Sequence, residues 1–146
     1  MIRTSLEIFV DAALNCGQIS TDDVRRLQRD ILADGIESRD ECDVLIALDR
    51  AVEDKAPAWS AFVIQAIVDH VVWTSRPTGM IDRETAQWLT TSLAAGNGPT
   101  NVALAIAFEV VRECDRADEI LVTFVMRWAR GRAAELRQRI DLDLAA

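Results

Sequence analysis

Apolar residues recur three and four positions apart along most of the chain. Val24, Leu27 and Ile31 form one stripe, and Leu45, Leu48 and Val52 a second. Trp88, Leu89 and Leu93 belong to a third, and Val102, Ile106, Val110 and Cys114 make a fourth. This spacing puts side chains on one face of a helix. No alternating run is long enough for a sheet strand. Glycine and proline punctuate the stripes at Gly17, Gly35, Pro57, Pro77 with Gly79, and Gly96-Asn97-Gly98-Pro99. The pattern predicts an all-α fold of about seven helices, near 4–15, 20–33, 38–54, 58–75, 82–95, 100–114 and 117–140. Gly131 is a candidate kink in the last.

Helix starts carry capping residues. Thr4 with Glu7 and Ser38 with Glu41 read as capping boxes, and Ser20 with Asp23 as a weaker one. Asp82 and Thr100 read as single caps. Three corners share one device: "GQISTDD" at 17–23, "GIESRDE" at 35–41 and "GMIDRET" at 79–85. In each, glycine stops a helix, isoleucine folds onto the core and a polar residue starts the next helix. The expectation is helical-hairpin repeats at an irregular period, 18 residues and then 44. The helix at 58–75 is apolar nearly all round. Trp59, Phe62, Val63, Ala66, Ile67 and Trp73 share a face, with Gln65, Asp69 and Arg76 as a narrow polar stripe. Such a helix belongs at the centre of a single bundle.

The 146 residues suit one domain spanning 1–146. Net charge is −8, which argues against a nucleic-acid grip. The charge is uneven: residues 1–54 hold 13 acids and 6 arginines, whereas 112–139 hold 5 acids and 7 arginines. Cys16, Cys42 and Cys114 are odd in number, lack a CxxC pair and read as reduced buried thiols. Glu7 and Asp11 interrupt the first apolar stretch, and Gln65, Asp69 and His70 interrupt the most apolar one. Neither reads as a signal peptide or a membrane span, so a cytoplasmic setting is expected.

Residues 30–41 concentrate acids around one glycine. Asp30, Asp34, Glu37 and Glu41 are the candidate ligands for a divalent cation, calcium or magnesium. The stretch resembles in part the EF-hand calcium loop: Asp30, Asp34, Gly35 and Glu41 stand at its positions one, five, six and twelve. Leu32, at position three, offers no oxygen. Residues 31–52 also resemble the TerB-like (tellurite-resistance) helical family through Asp34, Gly35, Ile36, Ser38 and Glu41, with 79–84 as a second, decayed copy. That resemblance implies an all-helical, non-enzymatic module, stress-related or adaptor-like, with acidic metal-binding positions.

Catalytic chemistry has little support in the sequence. Ser60, Asp69 and His70 are triad-like ingredients, but neighbouring helical residues diverge by about 100°, and no nucleophile elbow or phosphate loop occurs. Asp69 in a bundle pocket is the one enzymatic reading. The last helix offers a partner surface through Arg127, Arg130 and Arg137 beside Leu121, Phe124, Val125 and Trp128. It supports the alternative function: a protein-interaction or homodimeric assembly module with no metal.

Overall fold

The computed structural model describes residues 1–131. Helix α1 spans Thr4–Cys16. Helix α2 begins as Thr21–Arg26 and winds on as a π-helix over Leu27–Ile31. Helix α3 is Arg39–Ala51. Helix α4 starts at Pro57–Val68 and also widens to a π-helix, over Asp69–Thr74. Helices α5 and α6 are Arg83–Ala94 and Asn101–Glu113, and α7 runs from 119 to 131. The all-α class and the helix order agree with the periodicity. The expected stretch 132–140, with Arg137, lies outside the described residues.

Four two-residue strands were not foreseen. β1 (Gln18–Ile19) pairs parallel with β2 (Asp54–Lys55), and β3 (Met80–Ile81) pairs parallel with β4 (Arg116–Ala117). Each strand is too short to leave an alternating pattern, and each finds its partner more than thirty residues away.

The strands expose a regular internal repeat. Gly17 and Gly79 stand 62 residues apart, 17 against 79, and so do Ile19 and Ile81, and the caps Ser20 and Asp82. The offset holds for the starts of α2 and α5, both ends of α3 and α6, the pairs β1–β2 and β3–β4, and the starts of α4 and α7. It holds for hydrogen bonds too. The Ala56 amide donates to the Ile19 carbonyl and the Asp118 amide to the Ile81 carbonyl, each at 2.8 Å. Gly17 and Gly79 have φ of 77° and 76°, a left-handed conformation that a side chain would strain. Two 62-offset halves therefore replace the three irregular corners expected: "GMIDRET" matches "GQISTDD", and Gly35 is matched by Asn97.

One apolar cluster runs through both halves. α4 closes the first half and opens the second, packing on α2 and α6. Its Trp59, Val63 and Ile67 are fully buried. It is less enclosed than its wheel suggested: Phe62 and Ala66 are half-buried and Trp73 is 46% exposed.

Two caps differ from expectation. The N-cap of helix α1 is Arg3, which makes no side-chain cap, so the Thr4–Glu7 box does not form. The complete capping box is Ser20 with Asp23. At α3, Ser38 caps the Glu41 amide, while the Glu41 carboxylate goes elsewhere.

Candidate functional site

Residues 30–41 turn a corner between α2 and α3, and Glu41 faces inward. Its side chain is 1% exposed. Arg3 donates to both of its oxygens, Nε to Oε2 at 2.7 Å and Nη2 to Oε1 at 2.9 Å. The Glu37 amide donates to Oε1 at 2.9 Å. Arg3 also donates to the carbonyls of Ile31 and Gly35, at 2.7 and 3.0 Å. Burial pushes the Glu41 carboxyl up, but the Arg3 guanidinium and the amides of Glu37 and Arg3 outweigh it, so the group sits below the usual carboxylate range. The hydrogen bond to Glu41 likewise raises Arg3. The arginine thus ties the first residues of the chain to the corner and takes up its only buried carboxylate.

Asp30, Asp34 and Glu37 are exposed at the same corner. Among the described residues no group of three or more His, Cys, Asp or Glu side chains is placed to hold a metal ion. The four expected ligands are therefore not gathered. Glu41 is committed to Arg3, which the sequence could not show because the partner lies 38 residues away.

The corner instead walls a cleft of about 780 Å³ against α4. Leu32, Ile36, Ala58, Ala61, Phe62 and Ala66 give it apolar surface, and Gln28, Asp34, Gln65, Asp69, His70 and Thr74 line its polar parts. Both π-helical turns border it. Each is marked by a wide bond, Leu32 amide to Leu27 carbonyl at 2.7 Å and Ser75 amide to His70 carbonyl at 2.9 Å. Such turns frequently accompany functional sites, because the extra residue re-aims neighbouring side chains.

Asp69 lines this cleft at an exposed position. Asp69 and His70 do not pair within it. Asp69 Oδ1 accepts from Gln65 Nε2 at 2.7 Å, and His70 Nδ1 stands 3.0 Å from the Ile36 carbonyl. A carbonyl can only accept, so Nδ1 carries the proton and the neutral ring keeps Nε2 as an acceptor. Burial lowers the His70 pKa below its ordinary value, with the Ile36 bond opposing. Ser60 is not among the lining residues. The sequence pointed to Asp69 and His70 separately. It did not show that the 31–36 corner would face them.

A second polar cluster is internal. Asp49, 2% exposed, accepts from Lys55 Nζ (2.9 Å), the Trp59 indole (2.9 Å) and the Thr100 hydroxyl (2.7 Å). It joins α3, β2, α4 and the α6 cap. On the last helix Leu121 is buried, and Phe124 and Val125 pack on the core, while Arg127 and Arg130 are exposed. Cys42 is buried as expected, but Cys16 is exposed and Cys114 half-buried. Among the described residues no helix is long and apolar enough to cross a membrane.

Comparison of the chain with protein-family models, curated proteins and solved structures gave no match.

Proposed function

We propose that the chain is a non-enzymatic helical binding module that receives a partner protein in the cleft between α4 and residues 28–36. The observation that carries this is the cleft itself: about 780 Å³, with an apolar floor and separated polar groups at its edges. Its size and lining are those of a recognition site. Asp69 and His70 do not pair within it, since Asp69 accepts from Gln65 and His70 Nδ1 is bonded to the Ile36 carbonyl.

This favours the interaction reading over a cation-dependent one. The TerB-like resemblance of residues 31–52 supports a helical adaptor equally well without a metal. Glu41 is held by Arg3, and among the described residues no three His, Cys, Asp or Glu side chains are gathered for a cation.

Affinity enrichment with the wild-type chain and with Ala66→Trp, which plugs the cleft, tests the proposal. A captured protein should bind the purified wild type in calorimetry and lose at least about tenfold in affinity for the variant. If Ala66→Trp, shown to be folded, binds the reconstituted partner as well as wild type does, the cleft is not the site.

A further inference from the structure

The internal repeat supplies a template for what the cleft takes. Position 66 on α4 corresponds to 128 on α7, and position 36 at the first corner to 98 at the second. In the second half a tryptophan stands at 128 and a glycine at 98. The Trp128 ring lies against Gly98, 3.8 Å from where a Cβ would be, and Phe124 meets the ring with centroids 6.4 Å apart. The first half keeps the phenylalanine, Phe62, but has Ala66 in place of the indole. Two further positions of α4 that line the cleft are reduced in the same direction: Ala58 against Ile120 and Ala61 against Thr123. On α4 the first half therefore carries the smaller side chains beside a phenylalanine common to both, while at the corner it has Ile36 where the second half has Gly98.

The cleft also has a polar signature. His70 is more than nine-tenths buried and lines it. Its Nδ1 is bound to Ile36, and its Nε2 has no hydrogen bond within the described residues. With Nδ1 as the donor to Ile36, the neutral ring leaves Nε2 as its acceptor nitrogen. It offers one acceptor to an incoming N–H. Asp34 and Asp69 are exposed at the edges, within a chain of net charge −8.

We infer that the cleft takes a tryptophan side chain from a basic segment of a partner protein, its indole stacked on Phe62 and donating to His70 Nε2, its flanking cations facing Asp34 and Asp69. Tryptophan and arginine are the residues that most often anchor such contacts, and opposite charge at the rim speeds and orients docking. The inference rests on the cleft being the binding site.

The probe is the capped tripeptide Arg-Trp-Arg, titrated into the full chain and followed by backbone amide NMR shifts. The expected result is saturable shifts at Phe62, Ala66 and His70, with a Kd on the order of 1 mM. Replacing the central tryptophan by alanine should weaken binding at least about tenfold, and replacing both arginines by glutamate should weaken it by a similar factor. Ala66→Trp should abolish the shifts. Asp69→Lys, at an exposed position, should weaken binding without disturbing the fold. If the alanine or glutamate peptide shifts the same residues as strongly, the inference is overturned and the cleft remains a binding site. If no peptide moves any cleft residue, both fall. If light scattering shows a dimer that Ala66→Trp returns to a monomer, the occupant is a second copy and the inference is likewise overturned.

Discussion

The two halves of this chain share a backbone and differ in what holds it. In the first half, Arg3 is bonded to the buried Glu41. The matching positions in the second half are Gln65 and Ala103. In the first half, Asp49 gathers Lys55 and Trp59, and the matching residues are Val111, Ala117 and Leu121. Both charged clusters are replaced as whole sets by uncharged or apolar residues, and the β-pairs and helix ends keep their register. The shared parts are the left-handed glycine, the isoleucine, the caps and the apolar stripes. Those specify the fold. The ion pairs are local solutions. Replacing a buried pair by packed apolar residues is often neutral or better for stability, whereas removing one partner is costly.

The largest expected effect follows from that asymmetry. Asp49→Val installs the second half's residue alone and strands Lys55, the Trp59 indole and the Thr100 hydroxyl. Chemical denaturation should show a loss of about 3–5 kcal/mol. Adding Lys55→Ala and Trp59→Leu should recover part of it. A triple variant no more stable than Asp49→Val would show that the halves do not exchange solutions.

Arg3→Ala should cost about 3 kcal/mol by leaving Glu41 without its guanidinium. The loss should depend on pH. Glu41 sits below its ordinary 4.5 in the fold, so its contribution is present above that value and fades as pH falls through the folded value. The gap between wild type and Arg3→Ala should therefore narrow on acidification below about pH 4.5. A gap independent of pH would mean the arginine acts by packing alone.

The smallest effect separates two equivalent glycines. Gly17→Ala and Gly79→Ala should each lose roughly 1–2 kcal/mol from the left-handed backbone. A Cβ at 17 meets nothing within 4 Å, whereas one at 79 would lie 2.6 Å from Asp115 Oδ2. Gly79→Ala should therefore be the worse of the two in thermal unfolding, with Asp115→Ala closing the difference. Equal losses in both backgrounds would confine the effect to the backbone.

The helices were legible because their signals are local: a stripe at three and four, a cap in front, a glycine behind. The repeat was half legible. Gly-x-Ile-cap was seen at Gly17 and Gly79, but Gly35 carries the same letters in a different place and split the true spacing into 18 and 44. The strands, the Arg3–Glu41 pair and the cleft depend on residues tens of positions apart, which periodicity cannot join. Glu41 shows this most plainly. Its spacing from Asp30 suggested a metal ligand and its spacing from Ser38 a capping box, yet Arg3 holds both its oxygens.

Helix α4 belongs to both halves. Its first turns match α7, and its later residues match α1: Val68 and Val71 take the buried places that Leu6 and Phe9 take there. Neither half can therefore melt while the other keeps its full complement of helices. Amides near Val63 and Ile67 should exchange with solvent only when the whole structure opens, whereas those at the exposed start of α1 should exchange through local fraying.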